Sequence, residues 1–242
     1  MRLQDHLDHL LRARSDDTLS DAFETAISQF GYDRYLFALL NDHPELDQSA
    51  QHGLMHSYPE DWMAHYVKQG YEHIDPVRFN TIHQSVPFEW KSLRDAPEVT
   101  VAQKQLLHEA DNAGLKHGIG IPLHGPRGTS AGIGLASSSK SAAPSAREIT
   151  QLHMLALQFY ACFWRLHKKR DAGKAPGMLS TREMDVLKWL AQGLTKAEIG
   201  DKLHISTHTV DHHTRNILSK LNARNITAAV YFATSRGLIP LY

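Results

Sequence analysis

The sequence predicts an α+β N-terminal domain, an antiparallel sheet flanked by helices in an α/β/α sandwich, over residues 1–170. An all-α C-terminal domain of four helices with a helix-turn-helix follows over residues 179–242. Three observations predict this division. The first part holds apolar runs of strand length bounded by turn residues, the second part keeps helical spacing throughout, and the segment 171–178 between them holds two glycines and a proline. We therefore expect two domains joined by a linker at 171–178.

Strands and helices alternate irregularly in the first part. DRYLFALLN, 33–41, predicts a buried strand, and GIGIPL and SAGIGLAS predict two more strands joined by the turn HGPRG. Helical patterns fall at roughly 4–13, 17–30, 59–70, 74–84 and 100–114. A long helix is predicted from Arg147, and its apolar face is wide enough to pack on its own domain and on a second copy.

The second part carries the start signal of each of its four helices. A Ser or Thr followed three residues later by Glu forms a capping box at Ser180 and again at Thr195. Ser206 and Asn225 are the predicted N-caps of the third and fourth helices, and Gly193 and Gly237 are predicted to end the first and the fourth. The second and third helices, joined by a short turn at 204–205, form a predicted helix-turn-helix.

The third helix of this part separates its residues by face. Val210, Ile217 and Leu221 face inward, so the outward face is polar. A recognition helix places such side chains in the major groove of DNA, with its N-terminal residues at the base edges. The predicted DNA contacts are Lys196, Thr207, His208, Asp211, His212, Arg215 and Lys220, and Arg224 is near enough to reach a phosphate.

Charge is unevenly distributed along the chain, although the formal net charge is zero. Residues 1–164 hold 13 Lys+Arg and 20 Asp+Glu, a charge of −7, whereas residues 165–242 hold 13 and 6, a charge of +7. From charge alone, two interpretations stay open. The basic part binds a polyanion, or it is an ordinary solvated basic face.

The histidines of HISTHTVDHHTRNI raise the alternative of a metal site. His208 and His212 are four apart and share a helix face, which is a weak metal signal. A structural zinc needs about four ligands. His204 lies in the turn, His213 points toward the core and no cysteine is near, so we expect no metal here.

Residues 179–239 resemble the LuxR-type DNA-binding domain, in a long pattern without gaps. One departure is Leu194, where the family usually has lysine, and this removes a phosphate contact. The resemblance rests on Leu179, Thr181–Glu183, Val186–Leu187, Gly193, Glu198–Ile199, Leu203, Ile205–Ser206, Thr209–Val210, His213, Ile217, Lys220–Leu221, Asn225 and Gly237–Ile239.

Aromatic residues concentrate between positions 58 and 90. Tyr58, Trp62 and Tyr66 are four apart and share a face if one helix holds all three, while Asp75 precedes a proline and Trp90 follows an apolar stretch. Ligand pockets are mostly apolar with a few polar groups that fix orientation. These residues fit either a pocket for a small amphiphile with carbonyl oxygens and an amide N–H, or an aromatic core whose polar tips are satisfied internally.

The same stretch resembles the autoinducer-binding domain of the quorum-sensing LuxR family, whose ligand is an N-acyl homoserine lactone. The similarity extends to LFALL, 36–40, and to 113–128. The six signature positions are Trp62, Tyr66, Asp75, Pro76, Trp90 and Gly118, and Tyr58 stands at a further contact position.

The resemblance implies a role for each of these residues. Trp62 would donate to the lactone carbonyl, Tyr58 to the acyl carbonyl, and Asp75 would accept from the amide N–H. Tyr66 and Trp90 would cover the chain and the ring, while Pro76 and Gly118 would shape the backbone. The implied lining of the pocket is Leu36, Ala38, Leu40, Leu106, Ala110 and Leu115.

Two glycines depart from the family pattern. Gly134 stands where many relatives place a Ser or Thr that reaches the ligand carbonyl, and Gly120 stands where a larger residue is common. Both changes remove a side chain, and we expect both to add room. We therefore hypothesise a ligand with a long or bulky acyl tail, branched or aromatic, without a 3-oxo group.

The sequence thus predicts a ligand-responsive transcriptional regulator, not an enzyme, that acts as a cytoplasmic homodimer on double-stranded DNA without a cofactor. Cys162 is the only cysteine, which fits a reducing compartment, and no apolar run could span a bilayer. A regulator that responds to another small molecule or to none, a lactone hydrolase and a purely architectural DNA-binding protein are the alternatives. The hydrolase lacks support, since the sequence holds neither a nucleophile elbow nor a zinc-ligand cluster.

Overall fold

The computed structural model of the chain describes residues 2–43, 45–94, 96–125, 128–139, 143–168, 179–235 and 238–239. The chain divides into two compact units, one holding the described residues up to Gly125 and from Thr129 to Lys168, the other holding those from 179 onward. The predicted linker 171–178 and the predicted helix end at Gly237 lie outside the described residues. The predicted domain boundaries therefore stay predictions.

The described part of the first unit contains a five-stranded antiparallel sheet in the order β2-β1-β5-β4-β3. The three predicted strands are confirmed, and the sequence missed β2 and β3. β2 has the sequence QHGLMH, without a run of β-branched residues, and β3 has only two residues. The strands are β1 Arg34–Leu39, β2 Gln51–His56, β3 Phe88–Glu89, β4 His117–His124 and β5 Ser130–Ser137.

Helices cover both faces of this sheet, as predicted. Along β1, Tyr35, Phe37 and Leu39 pack against one layer while Leu36 and Ala38 pack against the other, because successive side chains of a strand alternate. The helices are α1 Leu3–Arg12, α2 Asp16–Ser28, α3 Glu60–Lys68, α4 Pro76–His83, α5 Trp90–Arg94, α6 Val101–Asn112 and α7 Ala146–His167. The α/β/α sandwich is therefore confirmed.

The two helical layers differ in character. The first, built from α1, α2 and α7, forms a continuous aromatic core in which Phe23, Phe37 and Phe159 are fully buried. The second, which includes α3, α4 and α6, encloses the aromatic residues that the sequence singled out. None of the described helices is long and apolar enough to cross a membrane.

The described part of the second unit contains four helices, as predicted. They are α8 Thr181–Ala191, α9 Lys196–Leu203, α10 Thr207–Lys220 and α11 Ile226–Ser235. The four predicted N-caps are confirmed, since Ser180, Thr195, Ser206 and Asn225 each accept a backbone N–H from the first turn of the helix that follows. Val186, Ile199, Val210 and Ile217 lie in their common core.

The turn between α9 and α10 is tight. His204 adopts a left-handed conformation with φ of 53°, and its N–H bonds back to the end of α9. A Cβ on Gly200 would lie 2.8 Å from the carbonyl oxygen of Ile205, so only glycine allows α9 to approach this turn so closely. This geometry fixes the close approach of α9 to the start of α10.

Candidate ligand cavity and DNA-recognition helix

A cavity lies in the first unit between the sheet and the layer that includes α3, α4 and α6. The cavity volume is about 70 Å³, which leaves room for more than one water. Twelve of the fourteen predicted ligand contacts line it: Leu36, Ala38, Leu40, Tyr58, Trp62, Tyr66, Asp75, Trp90, Leu106, Ala110, Leu115 and Gly134.

Pro76 and Gly118, the two other predicted contacts, do not line the cavity. Pro76 is the first residue of α4, where proline loses no helical hydrogen bond. A Cβ on Gly118 would lie 2.2 Å from the indole of Trp90, so glycine lets that ring lie directly on β4. Both positions fit the backbone role that the resemblance implies, and Gly118 leaves space for the Trp90 ring.

Tyr58 reaches the cavity from outside a helix. α3 begins at Glu60, so the condition that one helix holds all three residues is not met, and Tyr58 does not share a helix face with Trp62 and Tyr66. The chain leaves β2 at His56 and passes Tyr58 before Pro59 caps α3. The Tyr58 hydroxyl then lies 3.0 Å from where a Cβ on Gly134 would be.

Asp75 is the best-anchored polar group of the cavity wall. It is the N-cap of α4, with Oδ1 accepting from the N–H of Val77 at 2.8 Å, while the Tyr66 hydroxyl donates to Oδ2 at 2.9 Å. Burial raises the pKa of Asp75, and the two hydrogen bonds and the guanidinium of Arg78 oppose that rise. A carboxyl oriented in this way can still accept a ligand N–H on its remaining lone pairs.

Trp90 provides a donor that sequence reasoning did not identify. The resemblance assigned this residue to cover the ligand ring, but its Nε1 is buried and has no hydrogen-bond partner among the described residues. An unpaired buried N–H costs roughly 1–3 kcal/mol, so such groups in folded proteins usually have an acceptor. Among the residues that line the cavity, Trp90 thus carries an unpaired donor and Asp75 carries an acceptor.

A hydrogen-bonded cluster holds α3 to α6 beside the cavity. Glu109 Oε2 accepts from the Tyr71 hydroxyl at 2.6 Å and lies 2.7 Å from Nε2 of His65. These hydrogen bonds, together with one from Gln105, lower the pKa of Glu109 to about 2. The Trp62 ring lies 6.4 Å from the ring of Tyr71, so the cluster also fixes the neighbourhood of Trp62.

Seven further residues line the cavity, and the sequence analysis missed them all. His52 is among them because β2 was not predicted. Its ring stacks on Tyr66 at 4.3 Å, and burial and the nearby Arg78 lower the pKa of His52 to about 4, so it is neutral at pH 7. The seven are His52, Val77, Arg78, Thr81, Leu107, Gly132 and Ile133.

The two glycines that depart from the family pattern have different surroundings. Gly134 lines the cavity beside Tyr58 and Trp90, where it carries no hydroxyl to compete for a ligand carbonyl. A Cβ on Gly120, however, would lie 2.3 Å from the ring of Phe88, which sits over it from β3. The expectation that Gly120 adds room for the ligand is therefore wrong, because Phe88 occupies that space.

On α10 the outward face is polar, as predicted. Thr207, His208, His212 and Arg215 are exposed, and the side chain of Arg215 is 64% exposed. Asp211 is half-buried and forms ion pairs with Lys196 from α9 and, at 3.1 Å, with Arg215. The Lys196 ammonium holds the pKa of Asp211 below its usual value, so this carboxylate stays charged and orients two cations.

Lys220 has a partner inside its own domain. Its Nζ donates at 2.7 Å to Oε2 of Glu183, a residue only 3% exposed, and the same carboxylate oxygen accepts from the N–H of Ser180. The Glu183–Lys220 pair therefore ties α8 to the end of α10. A phosphate contact at Lys220 stays a prediction beside this structural role.

His208 and His212 lie on the exposed face of α10, and His213 does not. His212 lies beside Asn216, with 3.2 Å between Nε2 and Nδ2, and His213 is half-buried. In the parts of the chain that the structure describes, no three His, Cys, Asp or Glu side chains converge in a way that could hold a metal ion.

Comparison with known proteins gives a family to each unit. Residues 15–163 match the autoinducer binding domain, and residues 177–233 match the bacterial regulatory proteins of the luxR family. The chain is 33% identical over 232 residues, 92% of its length and 89% of the relative's, to the HTH-type quorum sensing-dependent transcriptional regulator RpaR of Rhodopseudomonas palustris. It is 31% identical over 185 residues to the putative HTH-type transcriptional regulator y4qH of Sinorhizobium fredii, which is 76% of this chain and 56% of that protein.

Among solved structures, the chain is similar to SdiA of Escherichia coli, with a TM-score of 0.73 and 26% identity over 99% of this chain and 98% of the other. A second SdiA structure, in complex with octanoyl-rac-glycerol, gives the same score and identity over 99% and 96% of the two chains. The chain therefore belongs to the LuxR family of bacterial regulatory proteins, and it is a transcriptional regulator with an autoinducer-binding domain and a helix-turn-helix DNA-binding domain.

Proposed function

We propose that the cavity binds an N-acyl homoserine lactone and that its occupancy controls DNA binding by α10. The observation that carries the proposal is an apolar cavity lined by twelve of the fourteen predicted contacts, with the carboxyl of Asp75 held in its wall by Tyr66 and the Val77 N–H. Acyl homoserine lactones present carbonyl oxygens and one amide N–H on an apolar chain. These groups complement that wall.

The residue roles that we propose are those that the family resemblance implies, and the positions around the cavity support them. Trp62 donates to the lactone carbonyl, Tyr58 donates to the acyl carbonyl, and Asp75 accepts from the amide N–H. Tyr66 and Trp90 cover the acyl chain and the lactone ring of the ligand. Gly118 lets the Trp90 ring lie against β4, and Pro76 begins α4. The chain packs on Leu36, Ala38, Leu40, Leu106, Ala110, Leu115 and the surface of Gly134.

The cavity lies between the sheet and the helices, so an acyl lactone that fills it is enclosed from both sides. The ligand then becomes part of the core between sheet and helices. A ligand that binds only the folded state stabilises it by about 2.7 kcal/mol at a hundredfold excess over its dissociation constant. This coupling is the means by which occupancy changes the state of the protein.

The DNA contacts that we propose are on α10 and next to it. Thr207, His208 and His212 face the bases, and Arg215 contacts either a base edge or a phosphate. Lys196, Lys220 and Arg224 contact phosphates, with Asp211 orienting Lys196 and Arg215. Because phosphate contacts release counterions, we expect the affinity to fall steeply with salt.

We further propose a homodimer that places two recognition helices on half-sites about one helical turn apart. Exposed apolar side chains support it, at Met154 and Leu157 on α7 and at Tyr231 on α11, which is 68% exposed. The proposed domains are 1–170 and 179–242 with a linker at 171–178. Since the regulator acts on bacterial DNA, we place it in the cytoplasm.

Melting of the purified full-length chain tests the ligand class. Acyl homoserine lactones of several chain lengths should raise the melting temperature, whereas the free acids of the same chains should not. Octanoylglycerol, the compound held by SdiA, is the comparison compound. A rise with octanoylglycerol and none with any lactone would replace the lactone by another acylated ligand, and no rise with either would reject a ligand role for the cavity.

A further inference from the structure

Arg78 is a charged residue in the cavity wall that the lactone head group does not use. It lies on α4 and lines the cavity, and its Nη1 is buried without a hydrogen-bond partner among the described residues. A guanidinium stays charged in proteins and has five N–H donors. Leaving one of them buried and unpaired costs stability, so an acceptor for Arg78 is expected in the bound state.

The charges around Arg78 restrict that acceptor. The guanidinium of Arg78 lies close enough to Asp75 to oppose the rise in the pKa of that carboxyl, and the half-buried His52 nearby is neutral at pH 7. Asp75 and Arg78 therefore balance each other when both are charged. A carboxylate or phosphate on the ligand would leave a net negative charge in a buried site, which is unfavourable, whereas a neutral oxygen would not.

The position of Arg78 along the cavity indicates which part of the ligand it meets. On β5, Gly134 lies against Tyr58 and Trp90, at the end of the cavity that holds the proposed head group. Gly132, about 7 Å along the same face of the strand, lies against Thr81 of α4. Arg78 stands one helical turn beyond Asp75 and one turn before Thr81, so it lies on the side toward which the acyl chain extends.

We infer that the cavity selects an acyl chain that carries a neutral oxygen acceptor (a hydroxyl, ether or carbonyl) beyond its third carbon, hydrogen-bonded by Arg78. This inference rests on the proposed function, because it takes the amide of an acyl homoserine lactone to be held at Asp75. It makes Arg78 a residue that determines ligand specificity.

The test compares lactones that differ in one oxygen, using the full-length chain. The dissociation constants of three ligands are measured by calorimetric titration. The ligands are octanoyl homoserine lactone, the same lactone with a hydroxyl near the end of its acyl chain, and its 3-oxo form. Hydrogen bonds to charged groups contribute roughly 1.5–3 kcal/mol, so the distal hydroxyl should tighten binding about tenfold or more. The 3-oxo group should give no such gain.

Variants then assign the effect to Arg78. In Arg78→Met the ratio of the affinities for the hydroxylated and the plain chain should fall to about one, and Arg78→Lys should keep part of the preference. Arg147→Met, which removes an exposed arginine outside the cavity wall, is the matched control and should behave as wild type. If Arg78→Met does not fold, the lactone series on wild type and on Arg78→Lys still decides.

Equal binding of the plain and hydroxylated chains by wild type, or a gain with the 3-oxo form alone, would overturn the inference and leave the proposed function intact. A preference that persists in Arg78→Met would overturn it as well. Failure of every lactone to bind would reject the proposed function itself, so the two failures are distinguishable.

Discussion

Asp75 in the cavity and Asp211 on the recognition helix show how burial assigns different tasks to the same side chain. Burial raises the pKa of Asp75, and its oxygens are fixed by Tyr66 and a backbone N–H. Asp211 is partly exposed, and the Lys196 ammonium lowers its pKa. The first carboxyl suits a small neutral ligand with an N–H, and the second orients cations for a polyanion. The cavity thus depends on desolvated hydrogen bonds, and the DNA surface depends on exposed charge.

The largest effect is expected when the carboxyl of Asp75 is removed from the cavity wall. Asp75→Ala removes the N-cap of α4, the acceptor of Tyr66 and the proposed acceptor of the ligand amide. We expect ligand affinity to fall about a hundredfold, from the loss of a charged hydrogen bond and a cap together. Titration of acyl lactones against both proteins measures it. Asp61→Ala, an exposed carboxylate on α3, is the control and should bind normally.

A second comparison separates two cations of the DNA-binding domain. Lys220→Ala leaves the buried Glu183 without its cationic partner, so we expect a loss of about 2 kcal/mol in the free energy of unfolding. This loss is smaller than for a fully buried ion pair because Lys220 is partly exposed. Arg215→Ala should leave that stability unchanged. Urea unfolding of both variants checks this, and equal stability of the two would contradict the structural role of Lys220.

Arg215→Ala should act on DNA instead. We expect a loss of roughly 1–3 kcal/mol in DNA binding and a smaller dependence of affinity on salt if the contact is to a phosphate. The melting shift caused by ligand should not change, because Arg215 lies on α10, outside the cavity. Anisotropy titrations of a selected duplex at several salt concentrations test both parts, and an unchanged DNA affinity would remove Arg215 from the interface.

A smaller effect is expected at Gly134. A serine there would bring its Cβ to 3.0 Å from the Tyr58 hydroxyl and place a hydroxyl in the cavity. Gly134→Ser should therefore weaken binding of bulky acyl chains several-fold and improve binding of 3-oxo chains relative to plain ones. Gly134→Ala separates bulk from hydrogen bonding, since it should weaken the bulky chains without favouring 3-oxo. Wild type that already prefers a short 3-oxo chain would contradict the hypothesis.

The smallest effect is the pH dependence of ligand binding. The pKa of Asp75 lies above its ordinary value of 3.8, and a protonated carboxyl accepts from the amide N–H less strongly. Affinity should therefore be highest where Asp75 is ionised and should fall as the pH drops through the raised pKa of the free protein. Titrations from pH 8 to pH 5 measure this. Asp75→Asn should bind more weakly and show no such slope.

The sequence predicted the second unit better than the first because its signals are local. Each of its helices starts at a residue whose side chain caps it within three positions, as at Ser180 and Thr195. In the first unit, β2 contains Gly53 at φ of +66° and pairs with β1 through a register shift, so its alternation is broken. His52, which that strand carries into the cavity, could not be predicted for this reason.

Other parts of the cavity depend on contacts between residues far apart in the chain. The cluster of Glu109 with His65 and Tyr71 joins α6 to α3, and no local pattern indicates it. The same is true of Phe88 over Gly120, where the departure from the family pattern suggested free volume and the structure has a ring. Twelve lining residues were found nonetheless, because the family resemblance supplied positions that periodicity alone leaves ambiguous.

The most direct test of the account is the DNA affinity of one preparation of the full-length chain with and without bound lactone. A duplex selected by the protein from a random pool serves as the probe, and calorimetry on the same sample confirms that the cavity is occupied. We predict that occupancy changes the affinity of wild type at least tenfold and leaves that of Asp75→Ala unchanged. Equal DNA affinity of wild type with the lactone bound and absent would contradict the account.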